Sequence, residues 1–156
     1  MSAARLVKQF AHQGLTLATA ESCTGGLVAG AITAIAGSSR VFTHGFVTYA
    51  NAAKNQMLGV PETMLANYGA VSEPVARAMA EGARTRANVD YAVSTTGIAG
   101  PDGGSAEKPV GTVWFGLAGP TGTQSYQKLF RGDREAIRAQ AVAFALALLE
   151  QQGENQ

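Results

Sequence analysis

The sequence predicts a three-layer α/β/α sandwich around a mixed, mostly parallel sheet that closes with a C-terminal antiparallel hairpin. Three observations predict it. Helical and strand patterns alternate along the chain, Gly-rich turns follow the strands, and a Gly-Pro-Thr-Gly turn (119–122) joins two strand-like runs near the end. With 156 residues, the chain has the length of one domain, and one domain over 1–156 is expected.

Each element has its own signal. Leu6, Val7 and Phe10 recur at helical spacing and Gly14 follows, which predicts a short first helix closed by a glycine. LTLATA (15–20) reads as a strand, Ser22 to Gly26 as a tight loop, and LVAGAITAIAG as a small-residue helix packed close on the sheet. VFTHGFVTYA (41–50) is rich in β-branched and aromatic residues and predicts a second strand. Asn51 is placed to cap a short helix over 52–58 that Gly59 ends. Pro61 opens another helix that Gly69 closes, and Ser72 ahead of Glu73-Pro74 is placed to cap a longer one reaching about Ala87.

VDYAVST (89–95) is a compact apolar strand. The TGIAGPDGGSAEKP segment after it is too rich in Gly and Pro for regular structure, and long loops of this kind are usually functional. GTVWFGLAG and TQSYQKLF should pair as a hairpin. Asp133 is placed to cap a last helix through Ile137, Ala141, Phe144 and Leu148, ahead of a polar tail QQGENQ. In such a sandwich, ligands bind beyond the carboxyl ends of the strands, where loops 21–26 and 96–109 both fall.

Composition narrows the function classes. Apolar residues make up 46% of the chain, enough to repay the entropy of folding. Twelve Lys and Arg against eleven Asp and Glu are scattered rather than striped, which argues against nucleic acid as a partner. No run approaches the roughly 18 apolar residues of a membrane span, and the N-terminus lacks the unbroken apolar core of a signal peptide. Cys23 stands alone, so no internal disulfide can form and a reducing cytoplasm is expected. The two His are far apart and no carboxylate pair stands near either, so a metal-free reaction without cofactors is expected. The weakly charged, Ala-rich last helix would suit a homodimer.

Chemistry concentrates in Glu21-Ser22-Cys23-Thr24-Gly25-Gly26. Backbone N–H groups at a strand-to-helix turn suit a phosphate or an oxyanion, while in the plainer reading Ser22 or Thr24 merely caps the helix. A serine nucleophile needs a base, and neither His12 nor His44 has a convincing acidic partner for a triad. Lys54 sits in the first turns of a short helix, where the dipole disfavours a cation, and Tyr49 precedes it at a strand end. It is therefore either a general base with Tyr49 relaying a hydrogen bond, or an ordinary solvated lysine. Thr96, Gly97, Gly100 and Gly103 give the long loop close backbone approach to a ligand. Arg131, Arg134 and Arg138, around the last helix start, suit either a phosphate grip or surface ion pairs.

Five strings in order, ATAESCTGGLVAGAIT, GSSRVFTHGFVTYANAAKNQMLGV, GAVSEPVARAMAEGA, STTGIAGPDGGSAEKPVGTVWFGLA and FRGDREAIRAQA, together resemble the CinA C-terminal domain family and its nicotinamide-nucleotide amidases. The resemblance covers nearly the whole chain. It implies hydrolysis of the carboxamide of nicotinamide mononucleotide to nicotinate mononucleotide and ammonia, in pyridine-nucleotide recycling. It further implies Ser22 as nucleophile and Lys54 as its base with Tyr49 beside it. Thr24, Gly25 and Gly26 would then offer oxyanion or phosphate N–H groups, and Thr96, Gly97, Gly100, Gly103 and Arg134 would shape the nucleotide pocket. Activities of the large N-terminal domain in full-length members are not expected here. A silent nucleotide-binding regulatory module and an amidase for another small substrate are the competing expectations.

Overall fold

The computed structural model describes residues 2–154. Its elements follow the chain as α1 (Ser2–Gln13), β1 (Leu17–Glu21), α2 (Leu27–Thr33), a 3-10 turn (Ser38–Arg40), β2 (Phe42–Val47), α3 (Asn51–Leu58), α4 (Glu62–Tyr68), α5 (Glu73–Ala87), β3 (Tyr91–Gly97), β4 (Thr112–Gly119), β5 (Gly122–Leu129) and α6 (Arg134–Glu154).

One five-stranded sheet runs in the order β2-β1-β3-β4-β5. β1 pairs in parallel with both β2 and β3, while β4 runs antiparallel to its two neighbours, so four of the five strands point the same way. β4 and β5 meet at Gly119 and Gly122, the hairpin expected from the Gly-Pro-Thr-Gly turn. The chain steps from β1 outward to β2 and then returns to β3 on the other side of β1. This reversal opens a crevice beyond the carboxyl ends of β1 and β3.

The alternation of side chains along the strands divides the core in two. Leu17, Tyr91, Val93, Val113, Phe115 and Leu117 face α1, α2 and α6, where Phe115 packs on Phe144 with ring centroids 4.7 Å apart. Ala18, Ala20 and Ala92 face Val75, Met79 and Ala83 of α5, with Leu58 and Leu65 of α3 and α4 beyond. Small residues dominate the second face because α5 lies close on the sheet; a Cβ at Gly116 would stand 2.3 Å from the Ala76 carbonyl. The fold is the expected α/β/α sandwich.

Helix ends differ from expectation in their chemistry more than in their place. Asp133 does cap α6, its Oδ1 accepting from the Ala136 N–H at 2.9 Å. Asn51 is the first residue of α3 and makes no capping bond; Ala50 holds the cap position. Ser72 holds the cap position of α5, but its hydroxyl turns back to donate to the Gly69 carbonyl. α6 continues through much of the expected polar tail because Gly153 is buried against Gln9 and Phe10 of α1. Residues 155–156 of that tail lie outside the described residues.

Candidate active site

Ser22 follows the last residue of β1, and its N–H donates to the Thr95 carbonyl of β3 at 2.9 Å, so the central strands fix the backbone beneath its hydroxyl. Lys54 reaches the same point from α3. Its Nζ lies 3.0 Å from Ser22 Oγ, 2.9 Å from the Thr48 carbonyl oxygen and 3.2 Å from that of Tyr49. The side chain is 1% exposed. Parallel pairing of β2 with β1 makes this possible, since it sets Thr48 and Tyr49 alongside the Glu21–Ser22 step.

Among the described residues, no carboxylate lies within salt-bridge distance of Lys54. Burial therefore draws its amine below the ordinary lysine value, opposed only by Cys23. A neutral amine has two N–H bonds and one lone pair. With the N–H bonds on the carbonyls of Thr48 and Tyr49, the lone pair is left for the Ser22 hydroxyl. This arrangement would let the amine, in its neutral form, take the proton of the Ser22 hydroxyl.

Cys23 is the adjacent alternative nucleophile, and its surroundings oppose that role. Burial pushes its thiol up to about 11, partly offset by its own backbone N–H, so at neutral pH it is protonated.

The cavity above Ser22 and Lys54 holds about 300 Å³ and is walled by Cys23, Tyr49, Asn51, Ala70, Val71, Thr96 to Gly100, Asp102, Gly103 and Arg134. That volume is at the lower end of small-molecule sites. Gly97 and Gly100 allow the loop to fold this close: a Cβ on Gly97 would stand 2.6 Å from Val113 Cγ2, and one on Gly100 2.4 Å from Val110 Cγ1. Thr96 donates to the Ala70 carbonyl at 2.9 Å and Lys108 to that of Tyr68 at 2.8 Å, tying the long loop to the connection around α4. A second hollow of about 380 Å³ between α3 and α4 shares Asn51 with this cavity but includes neither Ser22 nor Lys54.

The structure thus brings together Ser22, Lys54, Tyr49, Thr96, Gly97, Gly100, Gly103 and Arg134. Tyr49 contributes differently from expectation. Its backbone carbonyl accepts from Lys54, while its phenol oxygen accepts from Arg134 Nη2 at 2.9 Å and its side chain is 58% exposed. Arg134 also donates to the Gly100 carbonyl at 2.8 Å, joining the two loops across the mouth.

Thr24, Gly25 and Gly26 do not line the cavity. The Gly25 N–H donates to the Ser22 carbonyl and the Gly26 N–H to Glu21 Oε1, so these amides face inward and are already engaged. Neither Ser22 nor Thr24 caps α2. That role belongs to Glu21, whose carboxylate accepts from the N–H groups of Val28 and Ala29 at 2.9 and 3.0 Å and from the Thr24 hydroxyl at 2.6 Å. Sequence reading missed Glu21, and the available signal was Gly26: a helix entered through a residue with no side chain takes its cap from elsewhere. Arg138, expected to serve either a phosphate grip or surface ion pairs, instead donates to the Cys23 carbonyl at 3.0 Å, bracing the turn from behind.

The model of the CinA C-terminal domain matches residues 1–152. The chain belongs to the CinA C-terminal domain family. Among curated CinA relatives, the nicotinamide-nucleotide amidohydrolase PncC of Shigella flexneri is 61% identical over 141 residues, covering 90% of this chain and 86% of that one; the protein of the same name in Escherichia coli K12 matches to the same extent. A putative competence-damage inducible protein of Symbiobacterium thermophilum is 58% identical over 148 residues, and the chain spans 35% of its length. The crystal structure of the competence/damage inducible protein CihA from Agrobacterium tumefaciens superposes with a TM-score of 0.95 at 48% identity, covering 99% of this chain and 94% of that one. Among the described residues, no helix of this CinA domain is long and apolar enough to cross a membrane.

Proposed function

We propose that the chain is a nicotinamide-nucleotide amidase that hydrolyses the carboxamide of nicotinamide mononucleotide to nicotinate mononucleotide and ammonia, with Ser22 as nucleophile and Lys54 as base. The observation that carries the reading is the buried, carboxylate-free Lys54 amine 3.0 Å from Ser22 Oγ. The substrate follows from the 61% identity to relatives named for that activity.

Lys54 accepts the Ser22 proton as Oγ attacks the amide carbon, and the resulting ammonium returns that proton to the departing amine. Ammonia leaves, and water, activated by the same amine, cleaves the acyl-enzyme to release the carboxylate product. The tetrahedral oxyanion needs fixed donors. Cys23 follows the nucleophile and lines the cavity, and its N–H has no backbone acceptor among the described residues, so that N–H is the donor of choice in place of Gly25 and Gly26. One such donor is worth on the order of 3 kcal/mol. Thr96, Gly97, Gly100 and Gly103 form the wall against the nucleotide, with Arg134 at the mouth for its phosphate.

Purified protein in the presence of a chelator, incubated with nicotinamide mononucleotide, is expected to release ammonia and nicotinate mononucleotide in equal amounts. Ser22→Ala is expected to abolish turnover and keep ligand binding. Absence of both products with folded protein, or full activity in Ser22→Ala, would overturn the reading.

A further inference from the structure

We infer that Glu21 is a positioning residue for this amidase reaction, its buried carboxylate holding the 22–26 turn in the conformation that keeps the Ser22 hydroxyl on Lys54. The inference rests on the amidase reading for its chemistry, but its geometry stands apart from the choice of substrate. Glu21 is 1% exposed at the end of β1. Its Oε1 accepts from the Thr24 hydroxyl at 2.6 Å, the Gly26 N–H at 3.2 Å and the Val28 N–H at 2.9 Å, and its Oε2 accepts from the Ala29 N–H at 3.0 Å. Each of these four partners is an N–H or O–H donor, and none is a cation. The first-turn amides and dipole of α2 provide the positive environment.

Donors converge on both Glu21 oxygens, and a carboxylate accepts at both where an amide accepts at only one. The bonds span the whole turn, from Thr24 through Gly26 into α2, so the carboxylate clamps the loop immediately after the nucleophile. The Thr24 hydroxyl also lies 2.7 Å from Thr95 Oγ1, and the Ser22 N–H is bound to the Thr95 carbonyl, so the clamp connects to β3 as well. On the other side, the Glu21 carbonyl accepts from the Thr48 N–H at 2.8 Å, and the Thr48 carbonyl receives the Lys54 amine. Glu21 therefore stands between the two halves of the Ser22–Lys54 pair without touching the cavity.

Glu21→Gln preserves shape and places an NH2 group among N–H donors. The turn then relaxes, and a displacement of about 1 Å in a reacting group can cost on the order of 100-fold in rate. Two measurements test this. In the variant, kcat for ammonia release is expected to fall by about 10- to 100-fold while KM stays within about threefold of wild type, because the substrate walls are untouched. Covalent labelling of Ser22 by phenylmethanesulfonyl fluoride, followed by mass spectrometry, is expected to slow by a similar factor. Glu21→Gln that is folded and labelled at the wild-type rate would overturn the inference, as would a loss confined to KM. If this variant melts below the assay temperature, Thr24→Val decides: slower labelling of Ser22 supports the clamp and unchanged labelling overturns it. Labelling needs no nucleotide, so wild-type protein that is labelled but releases no ammonia refutes the substrate assignment alone.

Discussion

Replacing Lys54 with Met removes the amine and keeps a side chain of similar length in a position that is 1% exposed. The amine lies 3.0 Å from Ser22 Oγ, so under the proposed mechanism the variant loses the group that takes the serine proton. General-base assistance contributes about 10²- to 10⁴-fold, or roughly 3 to 5 kcal/mol of barrier, and kcat/KM for ammonia release is expected to fall within that range. The effect on stability is the net of two opposing terms. The carbonyls of Thr48 and Tyr49 lose their donor at about 1–3 kcal/mol each at most, and relief from burying an amine offsets this.

The pH dependence separates the two terms. Burial lowers the Lys54 pKa in the folded state, so between that lowered value and the ordinary lysine value the unfolded chain binds the additional proton. Wild-type stability therefore rises with pH through this window, and below it the protein carries the full cost of a buried ammonium. Lys54→Met lacks this contribution, so its stability relative to wild type is expected to be best at low pH and to worsen as pH rises. Wild-type kcat/KM should likewise rise with pH on a limb below the ordinary lysine range, and the residual activity of the variant should lose that limb. Melting temperatures and ammonia release measured on both proteins across pH check these expectations. A folded Lys54→Met variant retaining more than about a tenth of wild-type kcat/KM would refute the general-base reasoning.

Three further outcomes follow from the same site. Cys23→Ala should keep kcat within about tenfold of wild type, and iodoacetamide should modify the wild-type thiol slowly at neutral pH, because burial holds it protonated with a value pushed up to about 11. Arg134→Met cuts the bridge between the Tyr49 phenol and the Gly100 carbonyl; it should raise KM by about tenfold or more with little effect on Ser22 labelling, as steady-state kinetics and labelling together would show. Gly97→Ala drives a Cβ to 2.6 Å from Val113 Cγ2 and 2.9 Å from the Thr112 carbonyl, and should destabilise by about 1–3 kcal/mol in urea unfolding.

Much of the fold was legible because its signals are local. Gly14 and Gly59 both take positive φ at the ends of the helices they were expected to close, since a residue without a Cβ enters the left-handed region freely. The hairpin turn and the Asp133 cap are likewise settled within four residues of chain. Asn51 and Ser72 show the limit: Asn51 is the first residue of α3 rather than its cap, and Ser72 holds its cap position without making the capping bond. A capping residue type marks where a helix begins, while the bond it makes depends on neighbours outside the segment.

From residue order alone came the layer architecture, the two loops that flank the crevice, and the residue types able to act there. Tertiary structure alone decided which of them meet. Lys54 reaches Ser22 across 32 positions and Arg134 reaches Tyr49 across 85, contacts set by which strand lies beside which. It also turned the Gly25 and Gly26 amides inward and assigned the cap of α2 to Glu21. Periodicity records which face of an element is apolar, but the order of strands in a sheet is fixed by packing over the whole chain, and that order brings a buried amine to a serine.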